Sequence, residues 1–284
     1  MILNIIIDKT KCIKCGKCVE ECPASVIELK NYAESVYPEF CNSCGHCAAI
    51  CSKNAIKCDE NNIRQPFRIQ KIDLNLQKDQ LLFHIKRSIR MYKNEKIDNE
   101  KIRALINYAE KAPCSHNFRD RKYIVLTNQD DLITISDEII KSFKFLVNII
   151  LNPLTLIIYN IFSKKVHIEL KELKSSFKKT ITEYQGGKYK IFRNSECIIG
   201  IAAPSKYRFS KDNCIAAQHY MMLYGKTIGI DSFIVGYAQH SHKVIEKYCK
   251  IDKGYSIYSV SAFGYGKHNY INEIIYKEPN ILWK

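Results

Sequence analysis

Apolar and polar positions follow different rules in the two parts of this chain. From Gln80 onward they recur with the periods of regular elements. QLLFHIKRSIRMY, Gln80 to Tyr92, opens on an apolar run, and NEKIRALINYAEK, Asn99 to Lys111, puts Ile102, Leu105, Ile106 and Ala109 on one face. That spacing predicts an amphipathic helix capped by Asp98 and stopped by Pro113. KYIVLT, from Lys122, predicts a strand, and CIIGIAAP, Cys197 to Pro204, a buried one. DNCIAAQHYMMLYGKTIGI, Asp212 to Ile230, is apolar nearly all round. It predicts a buried helix capped by Asp212 and leading into the strand SFIVGY. IYSVSAFGYG then sets Tyr258, Val260 and Ala262 against Ser259 and Ser261, the alternation of a half-covered strand. Helices around a mostly antiparallel sheet give an α+β class.

One stretch, FLVNIILNPLTLIIYNIF from Phe145 to Phe162, is uncharged and nearly long enough to cross a bilayer. Asn148, Asn152 and Asn160 interrupt it, and Pro153 breaks or bends a helix at its middle. Two buried or interface helices are expected, and no membrane span. The opening MILNIII carries neither a basic leader nor a small-residue cleavage site. A cytoplasmic, reducing location is expected, where clustered cysteines bind metal more often than they form disulfides.

Length and composition, 284 residues with 46% apolar and 26% charged, allow two globular domains. A formal charge of +15 raises nucleic acid as a partner, but the lysines are scattered rather than gathered into a stripe. A solvated basic surface that helps dock an acidic redox partner fits better, with neither nucleic acid nor membrane expected.

Before Gln80, cysteine sets the pattern. CIKCGKCVEEC, Cys12 to Cys22, and CNSCGHCAAIC, Cys41 to Cys51, hold eight of the thirteen cysteines at one spacing, repeated after 29 residues. A cubane iron–sulfur core needs four soft thiolates. A tight loop with three cysteines wraps three corners, and in the bacterial two-cluster arrangement the fourth cysteine of each run crosses to the other cluster. Cluster one then takes Cys12, Cys15, Cys18 and Cys51, and cluster two takes Cys41, Cys44, Cys47 and Cys22. Gly16 and Gly45 provide permissive backbone in each loop. Two zinc sites are the rival, because CxxC pairs also bind zinc, but zinc needs neither the third cysteine at that spacing nor the matching fourth. Residues 1–63 thus resemble a dicluster bacterial-type ferredoxin domain, with Ser52 departing from the Pro23 of the first copy. Cys58, Cys114, Cys197, Cys214 and Cys249 follow no ligand spacing and read as small hydrophobes.

A polar connector, residues 64–79, follows. KRSIR alone fits either a phosphate grip by two arginines beside a serine or a solvated helix end. Its order in the chain adds weight. KRSIRMY, a helix, APCSHN (Ala112 to Asn117) before a strand, a buried helix with a Gly-rich turn and strand, and then AFGYGK resemble the FMN-dependent nitroreductase family over residues 80–284. The whole chain resembles ferredoxin–nitroreductase fusions. The resemblance implies a nitroreductase-like α+β sandwich, FMN beside two [4Fe-4S] clusters, and a homodimer. It also implies that Lys86, Arg87, Ser88 and Arg90 hold the FMN phosphate and ribityl chain. Pro113, Cys114, Ser115 and Asn117 would lie along the ring from the partner subunit. Ile234, Val235 and Gly236 would contact the flavin, and Lys267 and then Lys277 would add phosphate contacts.

Departures from the family fall at sensitive places. Phe118, Arg119, Asp120 and Arg121 follow Asn117 where Gln-Pro-Trp is common, and Tyr276 stands where an arginine is usual beside Lys277. Cys114 reads as a packing residue and His116 as a packing or hydrogen-bonding residue rather than a general acid, and no catalytic acid or base is nominated. A cluster carries one electron and a flavin one or two, so the resemblance implies a converter. Electrons from NAD(P)H or a redox protein would reach an electron-poor small molecule such as a nitroaromatic or quinone. The alternative is an electron-transfer protein that relays charge to another enzyme and has no small-molecule substrate of its own.

Overall fold

The computed structural model describes residues 5–41, 45–57, 63–68, 78–115, 118–150, 152–187, 191–276 and 278–284. Cys44, Asn117 and Lys277 of the expected site, with Cys58 and His116, lie outside them. By packing, the chain forms two compact units. One comprises Met1–Lys93, Lys226–Asp231 and Tyr265–Lys284, and the other Asn94–Gly225 and Ser232–Gly264. The first unit therefore takes in more chain than the cysteine-bearing residues 1–63.

In the first unit, β1 (Ile6–Ile7) pairs antiparallel with β4 (Ile56–Lys57), and β2 (Ile27–Leu29) with β3 (Ala33–Ser35). Each cysteine loop turns into a short helix, α1 (Lys17–Glu20) or α2 (His46–Ile50). The residues that start them, Gly16 and Gly45, have φ of 74° and 69°, a left-handed conformation that glycine adopts without a Cβ penalty. Cys18, Cys22 and Cys47 share one core with Val26, Ile27, Ala33, Ala48, Ile50 and Ile56. Fully burying each of its valine and isoleucine side chains contributes about 1.5–3 kcal/mol.

The expected connector begins as a strand. β5 (Ile63–Arg68) pairs antiparallel with β10 (Asn272–Tyr276), with a register shift between Glu273 and Ile275. The ribbon has two strands, so Pro66 in β5 can lack an N–H without breaking an interior ladder. Ile274 of β10 packs against Ala49 of α2. Helix α3 (Lys78–Ile85) ends where KRSIRMY begins, and that segment runs on to an isolated bridge between Tyr92 and Gly266.

The second unit is built on a sheet of order β6 (Lys122–Leu126), β7 (Cys197–Pro204), β9 (Tyr255–Gly264), β8 (Asp231–Ile234), in which β6–β7 and β7–β9 are antiparallel. Around it lie α4 (Asn99–Ala109), α5 (Gln129–Phe145), α6 (Pro153–Phe162), α7 (Lys164–Gln185), α8 (Ser210–Thr227), α9 (Gly236–His240) and α10 (His242–Tyr248). This is the α+β class expected.

Several local expectations need correction. β9 is not half covered: Ser259 and Ser261 are as buried as Val260, because α8 packs on the serine face, where Ser261 accepts from Gln218 Nε2 at 2.7 Å. α8 is two-faced, with Cys214, Ala217 and Met221 buried while Tyr220 is exposed. It also begins before Asp212, at Ser210, whose hydroxyl donates to Pro204 O at 2.6 Å. Asp98 precedes α4 without a capping hydrogen bond and instead pairs with Lys101 at 3.7 Å. In the apolar stretch, α5 runs into a π-helical turn, Leu146–Ile150, and α6 restarts at Pro153. Leu154, Ile157 and Ile161 of α6 are exposed, which leaves the interface reading of this stretch rather than the buried one. Among the described residues no helix is long and apolar enough to cross a membrane.

Candidate functional site

Cys12, Cys15, Cys18 and Cys51 line one cavity in the first unit. Burial, and then the neighbouring thiols of Cys51, Cys15 and Cys12, push the Cys18 thiol up to about 11. Four thiolates brought this close repel one another, and a positively charged metal–sulfide core relieves that repulsion. Among the described residues, no three His, Cys, Asp or Glu side chains close around a single ion. A cubane sits between its ligands and holds them farther apart than one zinc ion does. Cys22, Cys41 and Cys47 belong to the adjoining core, of which Cys22 and Cys47 are buried. The two crossing cysteines are held alike, with Val26 N–H directed to Cys22 Sγ at 3.4 Å and Ala55 N–H to Cys51 Sγ at 3.2 Å.

The KRSIR segment, also in the first unit, is no solvated helix end. Arg87 is buried and its Nη1 donates to Lys86 O at 2.9 Å, while Lys86 Nζ donates to Arg87 O at 2.9 Å. Arg90 Nη1 donates to Ser88 O at 3.3 Å. Burial pushes the Lys86 ammonium down to about 8, and its charged neighbours are three cations, Lys226, Arg87 and Arg90, against one carboxylate, Asp231. Arg87, Lys226, Asp231, His268 and Tyr270 line a cavity of about 230 Å³. Lys226 Nζ meets Asp231 Oδ1 at 2.8 Å. A Cβ on Gly266 would stand 2.5 Å from Asp231 Oδ2, so glycine there leaves room for that carboxylate. Excess positive charge beside a polar cavity suits a phosphate monoester. Neither Lys226 nor Asp231 was singled out from the sequence. Lys226 stands in the last turn of α8 and Asp231 opens β8, far along the chain from Arg87, and no local spacing links them.

The cysteine loops and the KRSIR segment are joined within this unit by the segment after Gly264. The Tyr270 hydroxyl donates to Glu21 Oε2 at 2.5 Å and lies 3.3 Å from His46 Nδ1, its ring edge-on to the His46 ring. Glu21 precedes Cys22 and His46 precedes Cys47, so Tyr270 touches the neighbours of one cysteine from each loop. Burial pushes the His46 imidazole down to about 3, helped by Arg90, Arg87 and Lys86. Burial also raises the Glu21 carboxyl, against the Tyr270 bond. The Lys267 ammonium lies on Glu20 at 3.1 Å, alongside His268 Nε2 at 2.7 Å. In this arrangement Lys267 is engaged by the cysteine-bearing part, and Lys226 is the lysine that lines the cavity with Arg87.

The remaining expected residues are in the second unit. Ser115 N–H donates to Asn213 Oδ1 at 2.9 Å, with Pro113 exposed and Cys114 half-buried beside it. Arg121 holds Glu110 in a two-pronged bond at 3.0 Å and 3.0 Å, and its Nη1 donates to Asn213 O at 3.3 Å. The divergent residue Arg121 is thus a strut for the loop through Asn213. Ile234 and Gly236 are exposed, whereas the Val235 side chain is buried and its N–H donates to Val260 O at 2.9 Å.

Comparison with known proteins matches two stretches of sequence, and the longer one takes in KRSIR, Lys226 and Asp231 of the first unit. The 4Fe-4S dicluster domain profile matches residues 4–52, and the Nitroreductase family profile matches residues 86–265. An uncharacterized ferredoxin of Methanocaldococcus jannaschii is 40% identical over 62 residues, 20% of this chain and 78% of that protein. A component of the ion-translocating oxidoreductase complex of Methanosarcina acetivorans is 44% identical over 46 residues, 16% of this chain, which spans only 17% of that protein. A nitroreductase with bound FMN from Bacteroides fragilis superposes with a TM-score of 0.52 at 14% identity, covering 67% of this chain and 89% of its own, which establishes the shared fold. The chain belongs to the nitroreductase family and carries a 4Fe-4S dicluster ferredoxin domain at its N-terminal end.

Proposed function

We propose that this protein is a cytoplasmic, homodimeric iron–sulfur flavoprotein oxidoreductase. Residues 1–63 form its cluster-binding half, 64–79 the connector and 80–284 the FMN-binding half. Cys12, Cys15, Cys18 and Cys51 would hold one [4Fe-4S] cluster, and Cys22, Cys41, Cys44 and Cys47 the other. Arg87, Ser88, Arg90 and Lys86, joined by Lys226, would hold the FMN phosphate, and Asp231 keeps Lys226 in place. When bound, the clusters supply single electrons and the flavin a hydride equivalent for an electron-poor acceptor such as a nitroaromatic or quinone.

The observation that carries this reading is Tyr270. It touches the residues preceding Cys22 and Cys47 and lines the same cavity as Arg87 and Lys226. The protein's own work is then to fix cluster two beside the phosphate-binding residues, through Glu20, Glu21 and His46 on one side and Lys267, His268 and Tyr270 on the other. Asn213 accepts from Ser115 N–H and is itself braced by Arg121. No side chain is assigned as acid or base.

Anaerobic purification should give about eight iron and eight labile sulfide per chain, two cubanes' worth, with about one FMN. The loaded protein should turn over a nitroaromatic or a quinone with NAD(P)H or a reduced redox protein as donor. Stoichiometric zinc without broad visible absorption would sink the cluster assignment, and absence of any turnover would leave a relay protein instead.

A further inference from the structure

We propose that the rim of the cluster-one cavity is the docking surface for an acidic one-electron carrier protein. The inference rests on the proposed function and assigns the entrance for its electrons. Cys15, at the edge of this cavity, is the exposed cysteine of the first loop. Around it the cavity is lined by Lys14, Lys17 and Lys53, with no carboxylate among the lining residues. Among the described residues these three lysines have no ion-pair partner. Other lysines of the same part are neutralised: Lys11 by Asp8 at 3.3 Å and Lys30 by Glu34 at 3.2 Å. The rim also presents apolar surface, with Ile13 57% and Leu29 42% exposed.

A thiolate-ligated cubane adds a charge of about −2 at the base of the cavity. The lysines carry their ammonium groups outward on long flexible stems, so an approaching protein meets them first. An apolar knob collared by unpaired cations suits a partner whose own redox centre is ringed by carboxylates. Such complementarity sets association rate and orientation, and it weakens with salt. On contact one electron would pass from the carrier to the cluster that Cys12, Cys15, Cys18 and Cys51 would hold. No bond forms or breaks and no proton is required.

The test is calorimetric titration of the loaded full chain with an acidic two-cluster ferredoxin as the probe, both oxidised so that no turnover contributes. Affinity should fall about tenfold or more between low and moderately high salt. Lys14→Glu, Lys17→Glu and Lys53→Glu combined should weaken it by a similar factor or more. Iron content and reduction by a small chemical reductant should stay unchanged. Reversing three exposed lysines of α7, Lys165, Lys171 and Lys178, is the control and should change affinity little. The salt series needs no variant, so it holds even if the triple variant fails to assemble. Salt-independent binding, no binding, or equal loss in the α7 control overturns the docking surface. None of these outcomes touches the cluster and FMN content on which the proposed function stands.

Discussion

The two cysteine loops are copies in sequence and nearly copies in local geometry, yet their surroundings are opposite. Each begins its helix on a left-handed glycine, and each crossing cysteine accepts an N–H from the residue four positions on. In α1 only Cys18 is buried, whereas in α2 all five residues are. The first loop presents Cys15 and lysines to solvent. The second is covered by Tyr270 and Ile274 from the far end of the chain. Loop chemistry alone makes two equivalent cysteine loops, and packing by distant residues makes one outer and one inner. The difference between the two loops is a tertiary property.

Removing one ligand from each loop is the severest way to break that comparison. Cys18→Ser and Cys47→Ser should each cost about four of the eight iron expected for two cubanes, read by metal analysis and visible absorption. Next in size is Arg87→Ala. Losing a charged phosphate partner should weaken FMN binding by about 1.5–3 kcal/mol, roughly ten- to 150-fold, in a fluorescence titration. Unchanged affinity would remove Arg87 from the site.

A pH series sharpens the same point. Lys86 falls from 10.5 in the unfolded chain to about 8 in the fold, so between those values the unfolded state binds more protons. Stability of the cofactor-free protein should therefore rise with pH across that window, as followed by denaturant unfolding. FMN affinity should move the other way and fall above about pH 8, because the phosphate loses a cation. A flat affinity profile to the alkaline side would mean Lys86 does not face the phosphate. Smallest is Tyr270→Phe, which removes the donor to Glu21 and should cost about 1 kcal/mol of stability while leaving iron content intact.

How much of this was legible in the sequence depends on the range of the interactions. The cysteine spacing placed Cys12, Cys15, Cys18 and Cys51 together, and the structure brings those four to one cavity. Local periodicity found α4, β6 and β7, whose patterns need only their own residues. It found β9 as a strand but misread it as half covered, because a buried serine paired with Gln218 looks in sequence like an exposed one. It also failed for Tyr270, whose partners Glu21 and His46 are 249 and 224 residues away. Arg121 stood out as a departure after the Ser115 loop, but its work as a strut depends on Glu110 and Asn213 together. The connector hid a strand because β5 has its partner at the other end of the chain. That pairing also bears on dissection: deleting residues 1–66 would cut inside β5 and uncover Ile274, so point variants of the full chain are the sounder probes.

The claim that electrons reach the flavin through cluster two is tested most directly by stopped flow. Full chain and Cys47→Ser, both loaded with FMN, are mixed with the same reduced acidic ferredoxin while flavin absorbance is followed. Bleaching in the variant should slow at least about tenfold, a barrier increase of roughly 1.4 kcal/mol. A small chemical reductant should bleach both flavins at similar rates. Equal rates with the ferredoxin would contradict a route through cluster two, even with every other cofactor in place.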